Sequence, residues 1–103
     1  AHFRHRDEAS LFEQWLDRAI EDCRGVDLLI YQAGADPHVN DPLGKVLTGV
    51  QMAKRDHAVF SAFQGRPLVW NLAGGYQRDV NGGIEPVLKL HRTTAQIQNI
   101  YQP

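Results

Sequence analysis

At 103 residues the chain has room for one domain or part of one, and a 43% hydrophobic share with 22% charged residues fits an ordinary soluble fold rather than a disordered tail. A formal net charge of −1, with the basic residues scattered, excludes the broad cationic surface by which proteins hold nucleic acid or an anionic membrane. Cys23 is the single cysteine, which rules out an intrachain disulfide and a thiolate zinc site; with no apolar run near the roughly 18 residues of a bilayer span, a reducing, cytoplasmic setting is expected.

The start, Ala1-His2-Phe3-Arg4-His5-Arg6, is too polar for a signal peptide, and its lack of an initial Met leaves open removal of a segment or a piece of a longer product. From about Glu8 to Arg24 the spacing predicts a helix: Leu11, Trp15, Ala19 and Cys23 form one apolar row, and Phe12, Leu16 and Ile20 the next. Gly25 stands where a helix-ending glycine belongs. Val26 to Gln32 is a nearly continuous apolar run, the pattern of a strand covered on both faces. Residues 33–47 form a loop too long to be a bare connector. A second helix is predicted over Gly49–Gln64, capped by Thr48, with Met52, Val59, Phe60 and Phe63 inward. Leu68 to Leu72 reads as a second strand and 73–83 as a second Gly-rich loop. A third helix follows over Ile84–Gln98, with Pro86 in its first turn and Ile84, Val87, Leu88, His91 and Ala95 along one face.

The order α-β-α-β-α implies parallel strands joined by right-handed crossovers. Two such strands make a poor sheet by themselves, so further partners are expected outside this chain. In open α/β sheets ligands bind at the carboxyl ends of the strands. Asp36, after the first strand, and Tyr76, after the second, fall at that level.

The loop Tyr31-Gln32-Ala33-Gly34-Ala35-Asp36-Pro37-His38-Val39-Asn40-Asp41-Pro42-Leu43-Gly44 resembles a turn of the zinc-dependent histone deacetylases and their relatives, the acetylpolyamine and acetoin-utilisation type amidohydrolases. Those proteins carry Gly-Ala-Asp or Gly-Phe-Asp followed by Asp-Pro-Leu-Gly. Leu72-Ala73-Gly74-Gly75-Tyr76 is similar to their Gly-Gly-Gly-Tyr turn, and the spacing between the loops also agrees. The likeness covers roughly residues 25–98. It implies a three-layer α-β-α architecture, with residues 1–103 as a single, partial deacetylase-like domain. It also implies that Asp36 ligates the catalytic zinc, that Tyr76 hydrogen-bonds the substrate carbonyl and its oxyanion, and that Gly74 and Gly75 form the turn at the substrate channel. Asp41 and Gly44 match a loop element shaping the surroundings. The complete enzyme would hydrolyse an acetylated amine, acetyl-lysine or an acetylpolyamine, with the metal polarising the carbonyl.

The family's Asp-x-His pair and adjacent histidines have no counterpart here, since His2, His5, His38, His57 and His91 are all separate. Asp36-Pro37-His38 has the triplet spacing, but the loop match gives Asp36 another role. The expectation is therefore a chain that binds no zinc alone. A missing N-terminal portion would supply the absent ligands and base; alternatively the chain is a non-catalytic interaction or oligomerisation module whose unmatched strand edges a second copy covers. Each residue also has a plainer reading. Asp36 is equally suited to bonding nearby amides, and Tyr76 to a half-buried position. His57 reads as a surface residue, His91 as packed or capping, and Cys23, Trp15 and Trp70 as core, with Trp70 on a strand also able to reach an interface. Gly74-Gly75 before a helix suits a phosphate cradle, but without the longer glycine pattern or a following Lys.

Overall fold

The computed structural model describes residues 11–102. Five elements follow in order: α1 (Phe12–Cys23), β1 (Leu29–Gly34), α2 (Gly49–Ala62), β2 (Leu68–Ala73) and α3 (Glu85–Tyr101). The strands pair in parallel, from Leu29 opposite Leu68 to Gly34 opposite Ala73. The chain is therefore a mixed helix/strand fold with the expected element order.

Local chemistry accounts for the element ends. Thr48 caps α2 through its side chain on the Gln51 amide at 3.1 Å, and Gln51 returns a bond to the Thr48 amide at 2.9 Å, a reciprocal capping box. Pro86 sits in the first turn of α3, where its missing N–H costs nothing. The start predicted for the first helix at Glu8 lies outside the described residues. β1 runs two residues further than the apolar run suggested and starts three later, because Val26, Asp27 and Leu28 form an exposed approach.

Phe12, Leu16 and Ile20 of α1 meet Met52 and Val59 of α2 and Phe63 just past its end, with Leu47 from the loop between. Leu29, Tyr31 and Leu68 back this cluster from the sheet. Burying each large side chain contributes about 1.5–3 kcal/mol, so these contacts set the arrangement. Phe60 adds edge-on contacts to Tyr31 and Trp70. In the other predicted row of α1, Trp15 and Cys23 are only half-buried.

The inward face of α3 is rotated from the expected one. Val87, Thr94 and Ile97 are buried, while Ile84 and Ala95 are exposed. The strands differ from expectation too. Their side chains alternate, and Ile30 is 71% exposed and Val69 57% exposed on the face away from the core. The described residues cover one face of the sheet only.

Candidate functional site

Parallel pairing brings the carboxyl ends of both strands to one edge. The ladder continues one step beyond them, from the Ala35 amide to the Ala73 carbonyl at 2.9 Å. The chain then turns sharply on both sides, and glycine makes each turn possible. Gly74 and Gly75 have φ of 55° and 104°, where other residues are strained. Space is equally short. A Cβ on Gly74 would lie 2.6 Å from Asp36 Oδ1, and one on Gly34 2.8 Å from the same oxygen. The Asp36 carboxylate therefore nests between the two turns. Gly75 lies against Val87 and Ala35, which docks the turn on α3.

Asp41 organises the two loops. It is fully buried at 0% exposure. Its Oδ1 accepts from the amides of Leu43 at 2.8 Å and Gly44 at 3.3 Å. Its Oδ2 accepts from the Tyr76 amide at 2.8 Å. One carboxylate thus holds its own loop closed and fixes the backbone that carries the phenol. Tyr76 itself is 47% exposed, so its ring is available to a ligand.

Asp36, Gly74 and Tyr76 all line one groove of about 1140 Å³, which extends along β1 to α1. Asp36 and Tyr76 thus border the same groove. His38 is elsewhere: it lines a second cavity of about 470 Å³ with His91 and Lys89. The His38 Nδ1 accepts from the Asn40 amide at 3.1 Å, leaving the proton on Nε2. His57 is not the bare surface residue expected, because its ring stacks edge-on against Tyr101 and its Nδ1 is 2.9 Å from the Tyr101 hydroxyl. His2 and His5 lie outside the described residues. Among the described residues no group of three or more His, Cys, Asp or Glu side chains is placed to hold a metal ion. Asp36 alone does not fit a catalytic zinc, which takes about three protein ligands.

Sequence reasoning missed a second buried carboxylate. Asp56 Oδ1 accepts from the Tyr31 hydroxyl and from Arg55 Nε, and its Oδ2 from Thr94 at 2.6 Å. Arg55 reaches on to the Gly34 carbonyl at 2.7 Å, so the network sets the end of β1. Burial pushes the Tyr31 phenol far above its ordinary range, which keeps it a donor. The available signal was position: Asp56 falls four residues after Met52 and four before Phe60, on the inward face of α2.

His38 makes the loop pH-sensitive. Burial lowers its pKa, with Asp41 opposing. The unfolded chain therefore takes up this proton first, and stability is lost as pH falls from the ordinary imidazole value of 6.5 toward the lower folded one. Urea midpoints of the wild type are expected to drop more steeply over that window than those of His38→Gln. Parallel decline of the two would refute the assignment.

No family model matches the chain, and no solved structure does. An uncharacterized protein of Picosynechococcus sp. is 32% identical over 74 residues, which make up 69% of this chain and 25% of the relative. The chain spans about a quarter of the length of the curated relative it matches. No helix among the described residues is long and apolar enough to cross a membrane.

Proposed function

We propose that this chain is the strand-tip portion of a zinc-dependent deacetylase, with an arginase/deacetylase-like three-layer fold completed by residues beyond those described. The observation that carries the reading is the seating of the Asp36 carboxylate on the Gly74 turn, in the same groove as Tyr76. In the complete enzyme Asp36 is a metal ligand, and the Tyr76 phenol donates to the carbonyl oxygen of an acetylated amine. A positioned donor of this kind contributes a few kcal/mol as charge develops on that oxygen. Gly74 and Gly75 let the backbone come close enough for both groups to reach one substrate. A third layer would lie over Ile30 and Val69, whose exposure is otherwise unexplained. The same exposure favours the second reading, a non-catalytic module that covers this face with another copy. The setting proposed is cytoplasmic.

Metal analysis of the purified chain separates these from an intact enzyme. Substoichiometric zinc and no hydrolysis of an acetyl-lysine peptide are expected, because one ligand cannot hold the ion. Stoichiometric zinc that disappears in Asp36→Ala would show that the chain builds a whole site by itself.

A further inference from the structure

The two strand-tip loops also supply the second cavity, of about 470 Å³, where α2 and α3 meet the strand ends. His38 borders it from the first loop, Gln77 from the second, and Lys89 and His91 from α3. Arg55 and Lys89 bring two positive charges to its lining against the single carboxylate of Asp56. Both oxygens of that carboxylate are already taken, by Tyr31, Arg55 and Thr94. The free groups are different in kind. Lys89 Nζ, the Gln77 side-chain amide, the His91 ring and His38 Nε2 bond to no other group of the described residues. The Asn40 amide occupies His38 Nδ1, so the neutral ring presents an Nε2 donor. That nitrogen lies 3.8 Å from where a Cβ on Gly49 would stand, at the first residue of α2. Pro86, in the first turn of α3, borders the same cavity, so two helices turn their positive ends toward it.

We propose that this cavity binds a phosphate group, with Lys89 as the counter-charge and His38 Nε2 and the Gln77 amide as donors to its oxygens. The excess of cation over carboxylate excludes a cationic ligand. The donors come from separate walls, namely each strand-tip loop and α3. A tetrahedral group turns an oxygen toward each of them, whereas a planar carboxylate has only two to offer. The remaining wall is apolar, with Ala33 and Ala35 at the strand end and Met52 and Leu90 on the helices. Small-molecule sites run from about 300 to 1,000 Å³, so the cavity has room for a short carbon body on the phosphate as well as for the free ion. The site uses neither Asp36 nor Tyr76 and does not rest on the deacetylase reading.

The test is a nuclear magnetic resonance titration of the 103-residue chain at constant ionic strength, with inorganic phosphate in one arm and glycerol 3-phosphate in the other. Saturable shifts are expected at the His38 ring and the Gln77 side-chain amide. Lys89→Ala removes the counter-charge and should weaken binding about 10-fold or more, and Gln77→Ala, which changes no charge, about fivefold. Lys54→Ala is the control: it removes the same charge from a lysine outside the cavity, paired with Glu13 of α1, and should leave binding as it was. Lys89 and Lys54 are both exposed, so melting temperatures close to that of the wild type are expected for both variants. Tighter binding of glycerol 3-phosphate supports the site and assigns the phosphate to a small monoester; equal affinities support it with the free ion as ligand. Shifts that grow without saturating in both arms overturn the proposal. So does equal weakening by Lys89→Ala and Lys54→Ala, which would reduce the effect to overall charge. Binding is read without metal or acetylated substrate, so a chain that fails as a deacetylase leaves the result standing.

Discussion

Replacing Asp56 with alanine is expected to cost about 3–5 kcal/mol, the usual effect of removing one member of a buried ion pair. Asp56 is 2% exposed and serves three donors from three elements: Tyr31 on β1, Arg55 on α2 and Thr94 on α3. Alanine leaves a buried guanidinium and two hydroxyls without their acceptor, and each orphaned group carries its own desolvation cost. Native stabilities are only about 5–15 kcal/mol, so a large share of the variant should be unfolded at 25 °C. Urea denaturation followed by circular dichroism gives the number. Tyr31→Phe removes one donor and leaves the Arg55 and Thr94 bonds in place, so a loss of about 1 kcal/mol is expected. The ratio between the two variants is the informative quantity. Equal, small losses would mean that hydrophobic contacts alone hold α2 to β1.

Asp56 also shows where the sequence stops being informative. The amphipathic rows of α1 and α2, the Thr48 cap and the Pro86 start each rest on residues within a few positions of one another, and the structure contains them. The inward face of α3 depends on what it meets. Thr94 is buried because Asp56, 38 positions away, needs a donor there. Periodicity favoured Ile84 and Ala95, which have no such partner. The strands were readable as strands, but their cover was not. An apolar run encodes two faces to be buried, and here only the face of Leu29, Tyr31, Leu68 and Trp70 meets helices. The turn glycines pointed to close backbone approach, and the Asp36 carboxylate proves to be what approaches Gly74.

Asp41→Ala is expected to loosen both loops at once. The wild-type carboxylate accepts three amides, two within its own loop and one from Tyr76. Hydrogen bonds to a charged acceptor contribute about 1.5–3 kcal/mol each when buried, so a loss on the order of 3 kcal/mol or more should follow. Asp79 provides the internal control. It makes the same kind of turn, accepting from Asn81 at 2.9 Å and Gly83 at 2.8 Å, but at the surface. There water replaces the lost acceptor, and Asp79→Ala should cost less than about 1 kcal/mol. Hydrogen exchange adds a local reading. In Asp41→Ala the Tyr76 amide should lose its protection, while amides inside the β1–β2 ladder slow or speed only with global stability. A Tyr76 amide that stays protected would place the anchor of the phenol elsewhere, in the Gly75 contact with Val87. The comparison matters for chemistry because a donor aimed at an oxyanion acts only when its position is fixed beforehand. Burial of the carboxylate that holds the Tyr76 backbone is what supplies that fixation here.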